Sequence, residues 1–83
     1  MSESAKALDL GVIRRMVTAL VGKRVTFSDD TPLISGGLID SMAIVDLILD
    51  LQTAFSVEIP ASEVQPDDFD TVSRIAETVA RFQ

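Results

Sequence analysis

One stretch of this chain, from Ser41 to Phe55, runs for fifteen residues without glycine or proline and directly follows Asp40. Aspartate is well suited to cap the amino end of a helix, so the stretch predicts a helix that begins at Ser41. Its apolar residues recur at helical spacing and predict a stripe that faces the core. That stripe comprises Ile44, Leu47, Ile48, Leu51 and Phe55, with Val45 at its edge. This is the most apolar helix that the sequence predicts.

The opposite side of this predicted helix mixes apolar and acidic residues. Met42, Asp46, Leu49, Asp50 and Thr53 fall on it. A single exposed apolar side chain needs no explanation, but Met and Leu set among acids are more typical of a surface that binds a partner. Residues 41–83 hold eight acidic residues against Arg74 and Arg81, so a basic partner is expected. The simpler alternative is a solvated acidic face that keeps a small protein in solution.

Two further apolar stripes predict helices on either side of this element. The first runs from Leu8 to Val21 and stops before Gly22, a residue suited to end a helix. It comprises Leu8, Val12, Ile13, Met16, Val17, Leu20 and Val21. The last helix is expected after Asp70 or Thr71, since both are good caps. Its stripe comprises Val72, Ile75, Ala76, Val79 and Phe82.

The segments between these stripes predict loops and turns. Lys23 to Asp40 is rich in Ser, Asp, Gly and Pro, and its 18 residues exceed the usual length of a structureless loop. Its own apolar residues indicate an ordered loop: Val25, Phe27, Leu33, Ile34, Leu38 and Ile39. Ala61 to Asp70 offers at most a short helical turn, interrupted or restarted at Pro66. The predicted fold is therefore all-α, with three main helices, one short helix and a long ordered loop between the first and second helices.

Length and composition restrict the organisation and the partners. A chain of 83 residues with 47% hydrophobic side chains can form a single domain, in which residues 1–5 are expected to be flexible. Its net charge of −6 argues against nucleic acid as a partner. No apolar run approaches the roughly 20 residues that span a bilayer, and Glu3 and Asp9 stand where a secretory leader would be basic and apolar. We therefore expect a cytoplasmic monomer that does not insert into membranes.

The residue types present exclude most catalytic chemistry. The chain has no cysteine and no histidine, which removes thiolate nucleophiles, disulfides, imidazole bases and the usual zinc ligands. The acid pairs Asp29–Asp30 and Asp67–Asp68 fit solvated turns better than a catalytic cleft. The acids around Asp70 lack the spacing of a helix-loop-helix calcium site, so no metal is expected. We predict that the chain is not an enzyme.

Ser41 is the residue whose position most suggests a function. It lies at the amino end of the most apolar helix, after Gly36 and Gly37, where a hydroxyl faces solvent and the helix dipole favours an attached anion. The plainer alternative is that Ser41 or Asp40 only caps the helix. The chain holds no base to activate Ser41, so any reaction of its hydroxyl needs another protein.

The run GGLIDSMAIVDLILDLQTAFSVEIP, residues 36–60, resembles the acyl carrier protein family. That family is marked by an Asp-Ser-Leu or Asp-Ser-Met triplet that opens a long helix ending in Phe, followed by an acidic and apolar connector into Pro. The resemblance extends to the whole chain through the first helix, the long loop, the short third helix and the last helix after Asp70. It implies an acyl-carrier-like bundle.

The resemblance also implies a prosthetic group. In the family, a phosphopantetheinyl transferase moves 4′-phosphopantetheine from coenzyme A onto the serine corresponding to Ser41. The thiol at the far end would hold acyl or aminoacyl groups as thioesters and so replace the missing cysteine. Asp40 resembles the family's acid beside this serine, which helps to place the transferase's Mg²⁺. The other implied partners are an acyl- or aminoacyl-activating ligase and downstream acyl-transfer enzymes.

The same resemblance assigns roles to the second helix. Basic and apolar patches of partner enzymes would meet its exposed face. The contributing residues are Met42, Asp46, Leu49 and Asp50. Cargo sheltered between the helices would be lined by Ile44, Ile48 and Val72, unless these residues are ordinary core.

Two departures distinguish the chain from fatty-acid carriers. GLIDS replaces the usual Gly-Ala-Asp-Ser, and Ala43, Gln52 and Thr53 stand where an acid is often found. GLIDSM and PDDFDT are more similar to freestanding specialised carriers, including D-alanyl and other aminoacyl carriers and peptidyl carriers. The expected function is therefore a carrier of a specialised lipid, polyketide or aminoacyl pathway. The alternatives are a housekeeping acyl carrier of fatty-acid synthesis and an unmodified helical protein-binding adaptor.

Overall fold

The computed structural model describes residues 10–83, which contain three α-helices and no strand. Helix α1 is Leu10–Val21, α2 is Ala43–Phe55 and α3 is Val72–Arg81, with single 3₁₀ turns at Ala61–Glu63 and Pro66–Phe69. The all-helical prediction is confirmed, and the predicted short helix is two short turns, the second restarting at Pro66 as expected. Leu8 and the expected flexibility of residues 1–5 lie outside the described range.

The core forms where the apolar stripes of the three helices meet. Helix α1 packs against α2 and α3, and the second 3₁₀ turn packs against α3. The buried apolar residues are Ile13, Val17, Leu33, Ile39, Ile44, Leu47, Leu51, Ile59, Phe69, Val72, Ile75, Ala76 and Val79. Each helix contributes the centre of the stripe that its sequence period predicts, because helical neighbours three and four positions apart share a face. Other predicted stripe residues are only partly buried against the core: Met16, Leu20, Val21, Ile48, Phe55 and Phe82. None of the helices in residues 10–83 has the length and apolar character needed to cross a membrane.

The ends of the helices follow their capping chemistry. Gly22 follows α1 with a φ of +98°, a backbone conformation that glycine adopts without strain. Ser56 follows α2 with a φ of 55°, in the left-handed region. Thr71 caps α3, since its side chain accepts a hydrogen bond from the Arg74 N–H. The last helix therefore begins where the sequence predicts, and Thr71 rather than Asp70 is its cap.

The long loop between α1 and α2 is held by buried side chains and by ionic contacts. Leu33 is fully buried and Ile39 nearly so. The Arg14 guanidinium donates to both carboxylate oxygens of Asp29, at 2.8 and 2.7 Å, and these bonds hold the pKa of Asp29 below its ordinary value. The Asp29 carbonyl accepts from the Ser73 N–H at 3.0 Å. The loop is thereby joined to both α1 and α3, and it is ordered as its apolar residues predict.

Candidate functional site

Ser41 lies exposed in the turn between Asp40 and the first residue of α2. The Asp40 side chain accepts from the Met42 N–H at 2.9 Å, and its carbonyl accepts from the Ala43 N–H at 2.9 Å. Because Asp40 satisfies these donors through a turn, the helix begins at Ala43, two residues later than predicted. The Ser41 hydroxyl makes no hydrogen bond to another residue of the described range. Asp40 therefore closes the turn that precedes α2, and the Ser41 hydroxyl is left available.

A groove opens beside Ser41 between α2 and the two 3₁₀ turns. It has a volume of about 180 Å³. Its lining comprises Ser41, Ile44, Val45, Ile48, Ala61, Val64, Gln65, Pro66 and Phe69. Two of the residues expected to line a cargo space, Ile44 and Ile48, lie here, whereas Val72 is not part of the lining and is fully buried in the core. The groove is apolar apart from Ser41 and Gln65.

The sequence gives no direct signal for the wall of the groove that the 3₁₀ turns provide. The turns contribute Ala61, Pro66 and Phe69 to the lining. A helix-start pattern does precede the second turn, because the Asp68 carboxylate accepts from the Gln65 N–H at 2.8 Å. This pattern predicts a helical turn at Pro66, but the side on which the turn packs depends on the tertiary fold.

The outer face of α2 carries exposed apolar and acidic side chains. Met42 is 79% exposed, Val45 63% and Leu49 55%, and these are the exposed large apolar residues of the described range. Asp46 and Asp50 are exposed on the same helix. The mixed face predicted from the sequence is present, and Val45, expected at the edge of the core stripe, belongs to it instead. Helical spacing places Val45 between Met42 and Leu49, so the three form one apolar patch.

Asp70 joins the start of α3 to the loop, a role that the sequence does not predict. One of its carboxylate oxygens accepts from the N–H groups of Ile34 and Ser35, at 2.7 and 2.9 Å, and the other accepts from the Ser35 hydroxyl at 2.8 Å. The Ser35 N–H lowers the pKa of Asp70 most, and the Ser35 hydroxyl and the Ile34 N–H add to this against partial burial. Because Thr71 alone is an adequate cap for α3, the adjacent acid Asp70 is free for another role, and this is the signal in the sequence that could have indicated its contact with the loop.

Comparison with known proteins identifies the family. A profile of the family described as phosphopantetheine attachment site matches residues 11–79. The chain belongs to this family. The match includes all of α2, α3 as far as Val79, the groove and the turn at Ser41.

The curated relatives are freestanding carriers. The chain is 31% identical to the D-alanyl carrier protein of Leuconostoc mesenteroides over 67 residues, which are 81% of this chain and 86% of the relative. It is 38% identical to D-alanyl carrier protein 1 of Lactiplantibacillus plantarum over 64 residues, 77% of this chain and 80% of the relative. The D-alanyl carrier protein of Streptococcus pyogenes is 37% identical over 54 residues, 65% of this chain and 68% of the relative. The expectation of a freestanding phosphopantetheine carrier is confirmed.

Family membership establishes the cofactor and the kind of activity. The carrier has a covalently bound phosphopantetheine and is not itself an enzyme. The described residues fit such a group, because an exposed and unbonded hydroxyl lies at the amino end of a helix and beside an apolar groove. Membership also implies a phosphopantetheinyl transferase that attaches the group and a ligase that loads it.

Proposed function

We propose that Ser41 carries the phosphopantetheine arm and that the chain is an aminoacyl carrier of the D-alanyl kind, with residues 1–83 forming one carrier domain. The observation that carries the attachment site is the Ser41 hydroxyl, which is exposed and makes no hydrogen bond within the described chain. The names of the relatives support an aminoacyl cargo. Family membership favours this modified carrier over the unmodified adaptor.

The surroundings of Ser41 suit an attached phosphodiester. The amino end of α2 carries the positive end of the helix dipole, which favours an anion on the adjacent hydroxyl. When bound, the group supplies a thiol, and a thiol is the function that a chain without cysteine cannot provide. Asp40, adjacent to Ser41, is exposed and is proposed to help place the transferase's Mg²⁺.

The outer face of α2 is the proposed docking surface for the transferase, the ligase and the downstream acyl-transfer enzyme. Asp46 and Asp50 would steer a basic partner, and Met42 and Leu49 would supply apolar contact area. Val45 adds to the apolar part of the same surface. Helix α2 contains no Lys or Arg, so no residue of this helix offsets the negative charges of Asp46 and Asp50.

A second cargo class is favoured by a separate observation. The groove beside Ser41 is walled by Ile44, Ile48, Val64 and Phe69, and such a wall suits a short acyl chain better than a charged amino group. An acyl carrier, including a carrier of fatty-acid synthesis, is therefore the alternative that the loading experiment must separate from the aminoacyl carrier.

The attachment site is tested by intact-protein mass spectrometry. The apo protein is incubated with coenzyme A, Mg²⁺ and a broad-specificity phosphopantetheinyl transferase. Ser41→Ala is run in parallel, with Ser62→Ala as the matched control because Ser62 is also exposed and lies in the first 3₁₀ turn. Addition of one phosphopantetheinyl group to the wild type and to Ser62→Ala, and none to Ser41→Ala, supports the proposal. Modification of Ser41→Ala would contradict it.

The cargo is tested on the modified protein. One sample receives D-alanine, ATP and a D-alanine-activating ligase, and the other receives a fatty acid, ATP and a fatty-acyl carrier ligase. Loading by the first ligase alone supports the aminoacyl carrier, and loading by the second alone supports the acyl carrier. Release of the cargo by hydroxylamine shows in either case that the bond is a thioester.

A further inference from the structure

Four hydrogen bonds from three consecutive loop residues converge on Asp70. Its carboxylate accepts the two N–H groups of Ile34 and Ser35 and the Ser35 hydroxyl, and its carbonyl accepts from the Leu33 N–H at 2.6 Å. Such bonds to a charged acceptor are stronger than bonds between neutral groups. Segment 33–35 lies in no helix, so these contacts replace the hydrogen bonds that regular structure would give it.

The hydrogen bonding continues from this segment towards Ser41. The Leu33 carbonyl accepts from the N–H groups of Leu38 and Ile39, at 2.8 and 2.9 Å. Leu33 is fully buried and Ile39 is 6% exposed, so both ends of this loop turn are also fixed by packing. Ile39 is followed directly by Asp40 and Ser41. The start of α3 is therefore connected to the attachment turn through one buried loop residue.

We propose that Asp70 is a positioning residue for the modification of Ser41, holding segment 33–35 so that the turn beyond Ile39 presents the hydroxyl to the transferase. This inference rests on the proposed attachment at Ser41. In that reaction the Ser41 oxygen forms a bond to the phosphorus that bears the pantetheine. The bond from that phosphorus to the bridging oxygen of coenzyme A breaks, adenosine 3′,5′-bisphosphate leaves, and the hydroxyl proton passes to a base of the transferase.

The carboxylate form of Asp70 is what this role needs. Three donors meet its two oxygens, and an ionised carboxylate only accepts. An amide at this position could keep its oxygen on the two N–H groups and donate its NH₂ group to the Ser35 hydroxyl, but it would lose the negative charge that strengthens these hydrogen bonds. The charge of Arg74 also favours the ionised carboxylate.

The test compares Asp70→Asn with two control variants. Asp67→Asn removes a charge from an exposed acid three residues away that makes no side-chain hydrogen bond in the described chain. Thr78→Val removes a buried hydroxyl that bonds the Arg74 and Asp68 carbonyls and makes no hydrogen bond to segment 33–35, so it controls for a general loss of stability. The kcat and KM of modification are measured at a temperature at which circular dichroism shows every variant to be folded, and amide exchange of Ile34 and Ser35 is followed by NMR.

We expect Asp70→Asn to lower kcat by about tenfold with little change in KM, because the docking face on α2 is intact while the hydroxyl is less well oriented. The Ile34 and Ser35 amides should exchange faster in this variant alone. Wild-type kcat for Asp70→Asn, or the same slowing in Thr78→Val, would overturn the inference. If the wild type itself gains no group on Ser41, the proposed attachment fails; if the wild type is modified and Asp70→Asn equals it, only the positioning role fails.

Discussion

The hydroxyl of Thr78 lies 3.0 Å from the carbonyl oxygen of Asp68, joining the middle of α3 to the second 3₁₀ turn. The Thr78 hydroxyl oxygen also lies 2.8 Å from the carbonyl oxygen of Arg74, one helical turn earlier. Thr78 is 4% exposed and is the buried polar residue of the described core. Because the second 3₁₀ turn forms one wall of the groove, this contact connects the groove to α3.

Replacing Thr78 by Val should lower the free energy of unfolding by about 1 kcal/mol, the usual net value of one buried hydrogen bond. The two side chains have the same shape, so packing is preserved. Urea denaturation measures the change, with Thr53→Val as control because Thr53 is exposed on α2. Equal stabilities for Thr78→Val and the wild type would show that the bond to Asp68 contributes nothing.

Acidification should destabilise the protein through Asp70. Its pKa is lowered in the folded state by the Ser35 and Ile34 hydrogen bonds, so folding favours the ionised form. The resulting stabilisation is fully present above the ordinary value of 3.8 and is lost as the pH falls through the folded-state pKa. Asp29, with its pKa lowered by Arg14, acts in the same direction.

A pair of denaturation series checks this assignment. Asp70→Asn should be less stable than the wild type at neutral pH, and the difference should shrink as the pH falls below 3.8. Asp67→Asn should match the wild type at neutral pH, because the Asp67 side chain is exposed and unbonded in the described chain. A difference between Asp70→Asn and the wild type that stays constant with pH would contradict the assignment.

Ser56→Gly should stabilise the protein by about 1 kcal/mol. Ser56 ends α2 with a φ of 55°, a left-handed backbone conformation that strains any residue with a side chain but not glycine. Its N–H bonds the Gln52 carbonyl, an interaction that glycine keeps. Thermal unfolding followed by circular dichroism measures the gain. Ser62→Gly is the control and should lose stability, since Ser62 lies in a 3₁₀ turn without a positive φ.

Reversing a charge on the outer face of α2 should weaken docking. Asp46→Lys is expected to lower kcat/KM for the phosphopantetheinyl transferase by about tenfold at low salt, and the loss should diminish as salt screens the charge. Glu77→Lys is the matched control, because Glu77 is equally an exposed helical acid but lies on α3. Equal losses in the two variants would mean that only net charge matters and that α2 is not the docking face.

The periodicity of the sequence predicts the helices better than the contacts between them. The α2 stripe, the end of that helix at Phe55 and the start of α3 after Thr71 follow from spacing and capping alone. Spacing places Val45 at the edge of the core stripe, but the side chain is exposed, because the angular position of a residue does not reveal how closely the neighbouring turns approach it. The Asp70 contacts span 35 and 36 residues of chain, and no local pattern encodes such a pairing.

The candidate site follows the same division. The sequence predicts Ser41 and Asp40 as site residues, because polar side chains at the amino end of an apolar helix suit an attached anion. The sequence does not reveal which of the two side chains accepts a backbone N–H group at the start of the helix, since either could do so. In the structure the Asp40 carboxylate accepts from the Met42 N–H, whereas the Ser41 hydroxyl makes no hydrogen bond in the described chain.

The Asp40 carboxylate accepts a backbone N–H and the Ser41 hydroxyl does not, and this difference bears on the stability of the modified protein. A group esterified to Ser41 would displace no hydrogen bond of the described fold, so its attachment should change the unfolding equilibrium only through the phosphodiester charge at the amino end of α2. A zinc-folded domain behaves in the opposite way, because its ligand supplies the folding energy. In this carrier the hydrogen bonds of the described fold form without the prosthetic group, so we expect a change of cargo to leave the stability of the native state intact.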